Sequence, residues 1–461
     1  MIRIFRHYIS GIFLGLVLLE FGVFFSAIHF GSLLRYQEMA PVSVDQLLPS
    51  AIFAVIMLIS NTGMGLYQRT QTWGEAGLLL RIIGSFMFGT LAMSLYFYIF
   101  PIHAIGRGVF AAALLSSLIG VTFLRVIFYR VVDQKVLKRR VVVFGAGKNA
   151  EKVIELEKSK STQNILVMGC IPLQGQPSIV PADRIVKMKV PLNQYAIESD
   201  IDEIVVAPDD RRKGLPVDEI LDCKMNGFEV VDMLTFFERE GGFIRVDCLY
   251  PSWLVFSDGF RAGFLRMFSK RMFDIIASLV LLGLTWPLMS LTAFVIWIEG
   301  RFKEPIFYKQ VRVGVSWRLF KVIKFRSMRT DAEQIGKPRM AQRNDSRVTR
   351  IGAFIRKVRI DELPQLFNVL KGDMSFVGPR PERPEFVERF AETIPYYSER
   401  HRVKPGITGW AQLCYPYGEN EIDALNKLQY DLYYVKNYSI FFDLMIMLQT
   451  VEVVLWGKGA R

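Results

Sequence analysis

Asp361 and Glu362 stand side by side directly after three cations, Arg356, Lys357 and Arg359, and open an apolar run over 363–370 that Gly372 closes. Two kinds of chemistry suit that pattern. One is local: an Asp at a helix N-cap, with an acid and a proline in the first turn, is favoured by the unpaired N–H groups and the helix dipole. The other is catalytic: a carboxylate can attack phosphorus to give an acyl phosphate, dividing one transfer into two. Such a step needs cations to screen the electrophile, and Glu362 could help to hold Mg²⁺, which binds through one or two carboxylates plus substrate phosphates. The two readings are compatible, because a helix N-terminus is also an anion site. Arg380 lies between prolines after a glycine, in Gly378-Pro-Arg-Pro381. Proline fixes φ, so the guanidinium is presented on a stiff turn, in a form suited to bidentate phosphate binding.

Other chemistries have little support. The chain has 4 His and no His-Glu-x-x-His, so neither a histidine metal site nor a Ser-His-Asp triad is expected. Cys170, Cys223, Cys248 and Cys414 are far apart, which opposes a disulfide framework and a zinc ribbon. Of the 461 residues, 51% are hydrophobic, the mean hydropathy is +0.26 and the net charge is +13. A membrane fraction and an anionic partner follow. Between residues 301 and 360 there are 17 Lys/Arg against 4 Asp/Glu, an excess equal to the net charge of the whole chain. Many of these cations (Arg343, Arg347, Arg350, Lys357) suit a membrane-facing or solvated surface, each contributing about 1 kcal/mol near an anionic leaflet. Just before them, residues 275–298 carry no charge, so lipid, not nucleic acid, is the expected anionic partner.

The elements that would position these groups follow from hydropathy. Four segments, roughly 9–33, 47–67, 79–101 and 107–129, are long enough to span a bilayer. The first carries Glu20 and is not followed by a small-residue cleavage site, so it reads as an anchor; the fourth carries Arg125, close enough to its end to snorkel. Arg3, Arg6, Arg69, Arg81, Arg130, Lys135, Lys138, Arg139 and Arg140 fall on one side, and Arg35 and Arg107 on the other. That bias places both ends of the four-helix unit in the cytoplasm. Strands at 140–144, 165–171, 201–207 and 228–232, alternating with helices at 148–160, 192–199 and 216–226, predict a small parallel α/β domain. Gly145-Ala-Gly147-Lys-Asn-Ala150 fits a dinucleotide turn, G-x-G-x-x-A. The acid expected on the second strand is missing, however, so the glycines equally suit a tight turn with close helix packing. No Tyr-x-x-x-Lys occurs, as a sugar-nucleotide dehydratase would need. Residues 275–298 form either a fifth span or a helix that dips in, breaks at Pro287 and returns. Cations flank both ends (Lys270, Arg271; Arg301, Lys303), and Pro287 disfavours the helical state of Trp286.

In order along the chain, Lys270-Arg-x-Phe-Asp274, Lys324-Phe-Arg-Ser-Met328, Asp361-Glu-Leu-Pro-Gln-Leu-x-Asn-Val-Leu-Lys-Gly-Asp-Met-Ser375, Val377-Gly-Pro-Arg-Pro381 and Lys404-Pro-Gly-Ile-Thr-Gly-Trp410 resemble a bacterial sugar transferase. The group is that of the polyprenyl-phosphate hexose-1-phosphate transferases, large phosphoglycosyl transferases of the exopolysaccharide-initiating type. The resemblance covers about 268–461 and is looser over the N-terminal half. It implies a four-helix transmembrane unit over 1–135, a Rossmann-like α/β domain over 136–240, a connector over 241–267 and a mainly α-helical monotopic catalytic domain over 268–461. The last contains a re-entrant membrane helix at about 272–299, broken at Pro287. By the same resemblance, Asp361 attacks the β-phosphorus of a UDP-sugar, releases UMP and passes the sugar phosphate to undecaprenyl phosphate. Glu362, with Asp361, partners Mg²⁺; Arg356 and Arg380 bind phosphates; Lys324 and Arg326 lie near the lipid headgroup or the mouth of the site. The expected setting is the bacterial cytoplasmic membrane, with the α/β and catalytic domains on the cytoplasmic face, and a homodimer is expected through the extra interfaces.

Two departures stand out. Trp286 replaces a small or polar residue often found before the re-entrant proline. The missing ribose acid makes the α/β domain, with Gly145 and Gly147, a vestigial turn of structural or regulatory use. The competing reading is a membrane-anchored, nucleotide-sensing regulator of polysaccharide synthesis acting through that turn. It would show nucleotide affinity that survives Asp361→Asn, without turnover. A scaffold with a dead catalytic half is opposed by the intact Asp361-Glu362 pair and Arg380. The transferred sugar is open among glucose, galactose and N-acetylated or deoxyamino sugars.

Overall fold

A computed structural model describes residues 2–4, 7–9, 11–36, 44–67, 75–132, 138–159, 165–188, 190–211, 215–260, 263–330, 347–415 and 420–455. Arg6, Arg69 and Lys135 of the charge bias, and Arg343 of the basic segment, lie outside them. The chain forms two compact units, essentially Tyr8–Cys248 and Leu249–Arg461.

The first unit opens with four long apolar helices: α1 (Gly11–Tyr36), α2 (Val44–Gly63), α3 (Glu75–Ile99) and α4 (Arg107–Val132). They match the four expected segments to within a few residues. With one helix of the second unit, they make five helices among the described residues that are long and apolar enough to cross a membrane. Phe24, Phe53, Met57, Ile82 and Val121 pack between them, while Leu18, Leu91 and Phe123 face outward. Arg125 does not snorkel. Its side chain is fully buried and pairs with Glu20, Nε to Oε1 at 2.7 Å, while Nη1 donates to Leu66 O at 2.9 Å. Glu20 also accepts from Asn61 Nδ2 at 3.0 Å and from the Tyr67 hydroxyl. A charge in an apolar interior persists when a partner of opposite sign and further hydrogen bonds meet it. The tight packing of α1 on α4 brings that partner within reach.

A four-stranded parallel sheet follows: β1 (Arg139–Phe144), β2 (Ile165–Ile171), β3 (Glu203–Val206) and β4 (Glu229–Asp232), in the order β2-β1-β3-β4. Helices α5 (Lys148–Lys158), α6 (Leu192–Glu198), α7 (Val217–Met225) and α8 (Met233–Gly241) cover it. Val141 and Val143 join one core with Ala150, Val153, Phe236 and Phe237. Val142 and Phe144 join another with Leu192, Ala196, Ile204 and Cys223. Both faces are therefore buried, which is why these strands read as continuous apolar runs. Helix α8 was not anticipated; Asp232 caps it by accepting from Leu234 N at 3.2 Å.

In the second unit a short helix, α9 (Pro251–Phe256), precedes α10 (Phe264–Glu299), which continues through Pro287. Its early turns are bolted to the unit. Arg271 donates to Val369 O at 2.6 Å and Leu370 O at 2.7 Å, Lys270 meets Asp443 at 2.7 Å, and Asp274 accepts from Ser375 Oγ and Phe376 N, both at 2.9 Å. Its last turns are held as well: Ile296 O accepts from Arg326 Nη2 and Glu299 Oε1 from Ile351 N, both at 3.3 Å. Between these ends Leu279, Val280, Leu284, Trp286 and Leu291 are exposed.

An antiparallel hairpin follows, β5 (Phe307–Val313) with β6 (Leu319–Phe325), where only helices were expected. Then come α11 (Arg350–Lys357), α12 (Gln365–Lys371), β7 (Ser375–Val377), α13 (Pro384–Thr393) and β8 (Gly406–Thr408), the last parallel to β7. Helices α14 (Trp410–Cys414), α15 (Glu421–Asn437) and α16 (Ile440–Leu455) complete the unit.

Candidate active site

The second unit holds a cleft of about 770 Å³. Asp361 and Glu362 sit in it on a single 3₁₀ turn between α11 and α12, entered through Arg359 in the left-handed region at φ 61°. They do not cap α12: its first residue is Gln365 and Pro364 precedes it, so the N-cap expectation for Asp361 is corrected. Gly372, at φ 95°, does close that helix. Free of capping duty, the two carboxylates project from a tight turn and are nearly buried, at 8% and 9% exposure.

Three local devices fix the groups around them. Lys324 projects from β6, and Asn368 of α12 sets that strand's position by donating to Lys321 O at 2.8 Å and accepting from Ile323 N at 3.0 Å. Lys324 Nζ then reaches Glu362 Oε1 at 2.8 Å. The Arg380 turn is held from several sides. Gly378 N donates to Thr408 O and Gly406 N to Pro379 O, both at 2.9 Å, Arg400 Nη2 donates to Arg380 O at 2.9 Å and Arg312 Nη1 to Pro381 O at 3.1 Å. A Cβ on Gly406 would lie 2.1 Å from Gly378 N, so this approach of two backbones requires glycine. Arg380 Nη2 meets Glu362 Oε1 at 3.1 Å, and its Nη1 meets Gln412 Oε1 at 3.3 Å.

The two carboxylates are driven apart in acidity. Burial lifts the Asp361 carboxyl above the usual range, Glu362's charge adds to that, and Lys324, Arg356 and Arg359 only partly oppose it. Burial acts on Glu362 in the same direction, but Lys324, Arg380 and Arg359 outweigh it and hold its carboxyl well below the usual range. Glu362 is thus a fixed anion clamped by two cations, while the Asp361 carboxyl makes no hydrogen bond or ion pair among the described residues. Neighbouring titratable groups with opposed shifts in a cleft mark a reactive site.

Lys324, Arg326, Arg356, Asp361, Glu362 and Arg380 all line this one cleft. Arg326 is buried and committed to Glu304 and Ile296 O. Arg347 also lines the cleft instead of belonging only to a solvated surface. Pro287 lies within α10, which contributes Leu281 to the lining. Arg312, Arg400, Gln412 and Lys427 of the lining were missed, and Asn368, inside the 361–375 motif, was given no role. Gln412 follows the 404–410 stretch by two residues and could have been found; Lys427 had no local signal. No cluster of three or more His, Cys, Asp or Glu side chains fit for a metal occurs among the described residues.

Gly145 and Gly147 belong to the first unit. Gly145 has φ +137° and donates to Ile171 O at 2.8 Å. The N–H groups that open α5, where a pyrophosphate would sit, are taken by a carboxylate: Lys148 N and Asn149 N donate to Asp209 at 3.0 and 2.9 Å. A Cβ on Gly147 would lie 2.1 Å from Asp209 Oδ2. Gly147→Ala is therefore expected to destabilise the unit by about 1–3 kcal/mol, seen as a lower unfolding midpoint, with no change in nucleotide affinity.

Comparison with known proteins agrees with the cleft. Residues 265–457 match the family model described as bacterial sugar transferase. A UDP-N-acetylgalactosamine-undecaprenyl-phosphate N-acetylgalactosaminephosphotransferase of Aeromonas hydrophila is 42% identical over 52% of this chain and 55% of its own length. An undecaprenyl-phosphate glucose phosphotransferase of Komagataeibacter xylinus is 43% identical over 42% of this chain and 37% of its own. These two matches span about half or less of the relatives' lengths. A UDP-galactose-lipid carrier transferase of Erwinia amylovora is similar over a longer stretch, 29% identical over 77% of this chain and 76% of its own. With the dyad, the clamped Arg380 turn and the matched family model all lying in the same unit, residues 265–457 place this chain in the bacterial sugar transferase family.

Proposed function

We propose that this chain transfers a sugar 1-phosphate from a UDP-sugar to undecaprenyl phosphate through a covalent intermediate on Asp361. The observation that carries the reading is the division of labour in the dyad: Glu362 is held by Lys324 and Arg380, which leaves the buried Asp361 carboxylate as the group able to attack. An Asp361 oxygen forms a bond to the β-phosphorus as the bond from that phosphorus to the bridging oxygen breaks. The electron pair stays on the bridging oxygen, and UMP leaves. A phosphate oxygen of the lipid then attacks the same phosphorus, restoring the Asp361 carboxylate and forming the polyprenyl diphosphosugar. Arg356 and Arg380 orient the phosphates, and Lys324 keeps Glu362 ionised and in place.

Mg²⁺ suits two adjacent carboxylates plus substrate phosphates, and Asp361 with Glu362 Oε2 would hold it. When bound, it would supply charge neutralisation on the phosphates. The names of the relatives cover N-acetylgalactosamine, glucose and galactose, so a panel of donors decides the sugar.

The topology proposed is four spans and a re-entrant α10, with the catalytic unit on the cytoplasmic face of a bacterial inner membrane, as a homodimer. Both ends of α10 are tied to one folded unit. Arg271 and Glu299 are about 42 Å apart along a straight helix, more than the apolar core of a bilayer, so a straight crossing would put these ties on opposite sides. The regulator reading is weakened by Asp209, which fills the turn it would use.

The test is UMP release by the purified chain with Mg²⁺, undecaprenyl phosphate and a panel of UDP-sugars. Lipid-dependent UMP from one donor supports the reading; silence with every donor, in folded protein, removes it. Single cysteines at Lys270 and Arg301 in inside-out vesicles check the topology: both should label from the cytoplasmic face, and labelling of one only would mean a crossing.

A further inference from the structure

Lys427 belongs to no motif, yet it lines the cleft from α15. It is half-buried and makes no hydrogen bond or ion pair among the described residues. Its charged surroundings are Glu382, Arg380, Asp431 and Arg400. Asp431 is already taken by Arg400, at 2.8 Å, and Glu382 lies by Arg312, at 3.5 Å. Burial disfavours the ammonium and lowers its pKa, and the acids do not fully restore it. An unpaired, partly desolvated cation in a cleft gains most from an arriving anion.

The cleft holds a second half-buried cation without a partner among the described residues, Arg356. The two stand by different groups. Arg356 acts on Asp361, whereas Lys427 is beside Arg380. Arg380 bridges the two regions, touching Glu362 with one nitrogen and Gln412 with another. The walls differ too. Helices α11, α12 and α16 pack on the apolar α10, while α15 packs chiefly on α14 and the 397–402 turn. Lys427 thus lies on the wall that is not built on the apolar helix, the side suited to a water-soluble substrate.

We propose that Lys427 binds the phosphate of the departing nucleoside monophosphate, with Arg380 beside it, while Arg356 serves the phosphoryl group under attack. This rests on the two-step transfer proposed above. As the bridging bond breaks, its electron pair stays on the leaving phosphate, which becomes a dianion. Lys427 donates a hydrogen bond to that oxygen without giving up its proton, so no further acid is required.

The experiment compares the full chain with Lys427→Met and Lys427→Arg. The probes are UMP, titrated by calorimetry, and undecaprenyl phosphate, varied in the turnover assay. UMP affinity should fall by about tenfold to a hundredfold in Lys427→Met and recover in part in Lys427→Arg, with the KM for the lipid unchanged. Equal UMP affinity in Lys427→Met and wild type, at matching unfolding midpoints, overturns the proposal. So does a raised lipid KM with unchanged UMP affinity, which would assign Lys427 to the acceptor. The transfer reading itself fails differently: wild type then releases no UMP from any donor, and the calorimetric comparison still decides whether Lys427 holds a nucleotide phosphate.

Discussion

Asp361→Asn should lower UMP release by about a thousandfold or more, the scale seen when a covalent nucleophile is removed. It should also abolish the sugar-phosphate adduct, which intact-mass spectrometry would detect in wild type given donor without lipid. The amide keeps the shape and burial of the carboxylate, so the loss cannot be ascribed to a collapsed turn. The same residue sets an acid limb. Attack needs the ionised form, and burial together with Glu362 pushes its pKa up to about 6. Wild-type rate should therefore rise with pH through that region, above the usual aspartate range. Stability runs the other way. A carboxyl with a raised folded-state pKa contributes stability that is complete below its unfolded value of 3.8 and is lost as pH rises through about 6. Above that pH the ionised Asp361 costs the fold about 1–3 kcal/mol, a strain that Asp361→Asn removes. The inactive variant should consequently unfold at a higher temperature than wild type at pH 7.5, and at about the same temperature near pH 4. Full activity in Asp361→Asn would end its assignment as nucleophile. Equal midpoints at pH 7.5 would mean that its burial does not strain the fold.

Much of this site could be read from the chain because its parts are local. Pro364 and Gly372 bracket α12 within nine residues, and Gly378-Pro-Arg-Pro381 announces a stiff turn wherever it falls. What stayed hidden depends on distance or on absent burial. The pairing of Glu20 with Arg125 joins residues 105 apart in the chain, so each reads alone as an isolated charge in an apolar run. The β5–β6 hairpin escaped because β5 buries only Val313 fully, leaving no alternation of apolar and polar residues to detect. Yet that hairpin carries Lys324. The role of Asp361 as a cap was a reasonable inference from helix chemistry; it failed because Arg359 adopts a left-handed conformation and a 3₁₀ turn forms before the helix, a backbone choice made by the packed site, not by local propensity. The Rossmann-like turn was correctly matched as geometry, but Asp209, about 60 residues on, occupies its donors, and no local pattern reports that.

Glu362→Gln should have the opposite effect on stability and a comparable effect on rate. Glu362 is the anion on which Lys324 and Arg380 converge. Without its charge, the half-buried Lys324 and the partly exposed Arg380 lose the anion they share, a change that costs about 1–3 kcal/mol, less than breaking a fully buried pair because solvent screens Arg380. The sign follows from its depressed pKa. The stabilisation exists above the unfolded value of 4.5 and fades only as pH falls toward the lower folded value. The penalty for the substitution should therefore be full at pH 7 and shrink in acid. Turnover should fall by at least about a hundredfold, because Arg380 and Lys324 lose the partner that holds them around the phosphates. A merely structural role would stop there, but the acid limb provides a separate readout. Glu362's negative charge raises the pKa of Asp361, and removing it leaves Lys324 and Arg380 free to favour the ionised Asp361. The residual activity of Glu362→Gln should then have its acid limb at lower pH than wild type. A lost rate with an unmoved limb would show that the two carboxylates do not share an electrostatic site. A limb that moves down, in a variant less stable at pH 7 where Asp361→Asn is more stable, would show two adjacent acids shifted in opposite directions within one site: Glu362 held down by Lys324 and Arg380, Asp361 raised by burial and by the charge of Glu362.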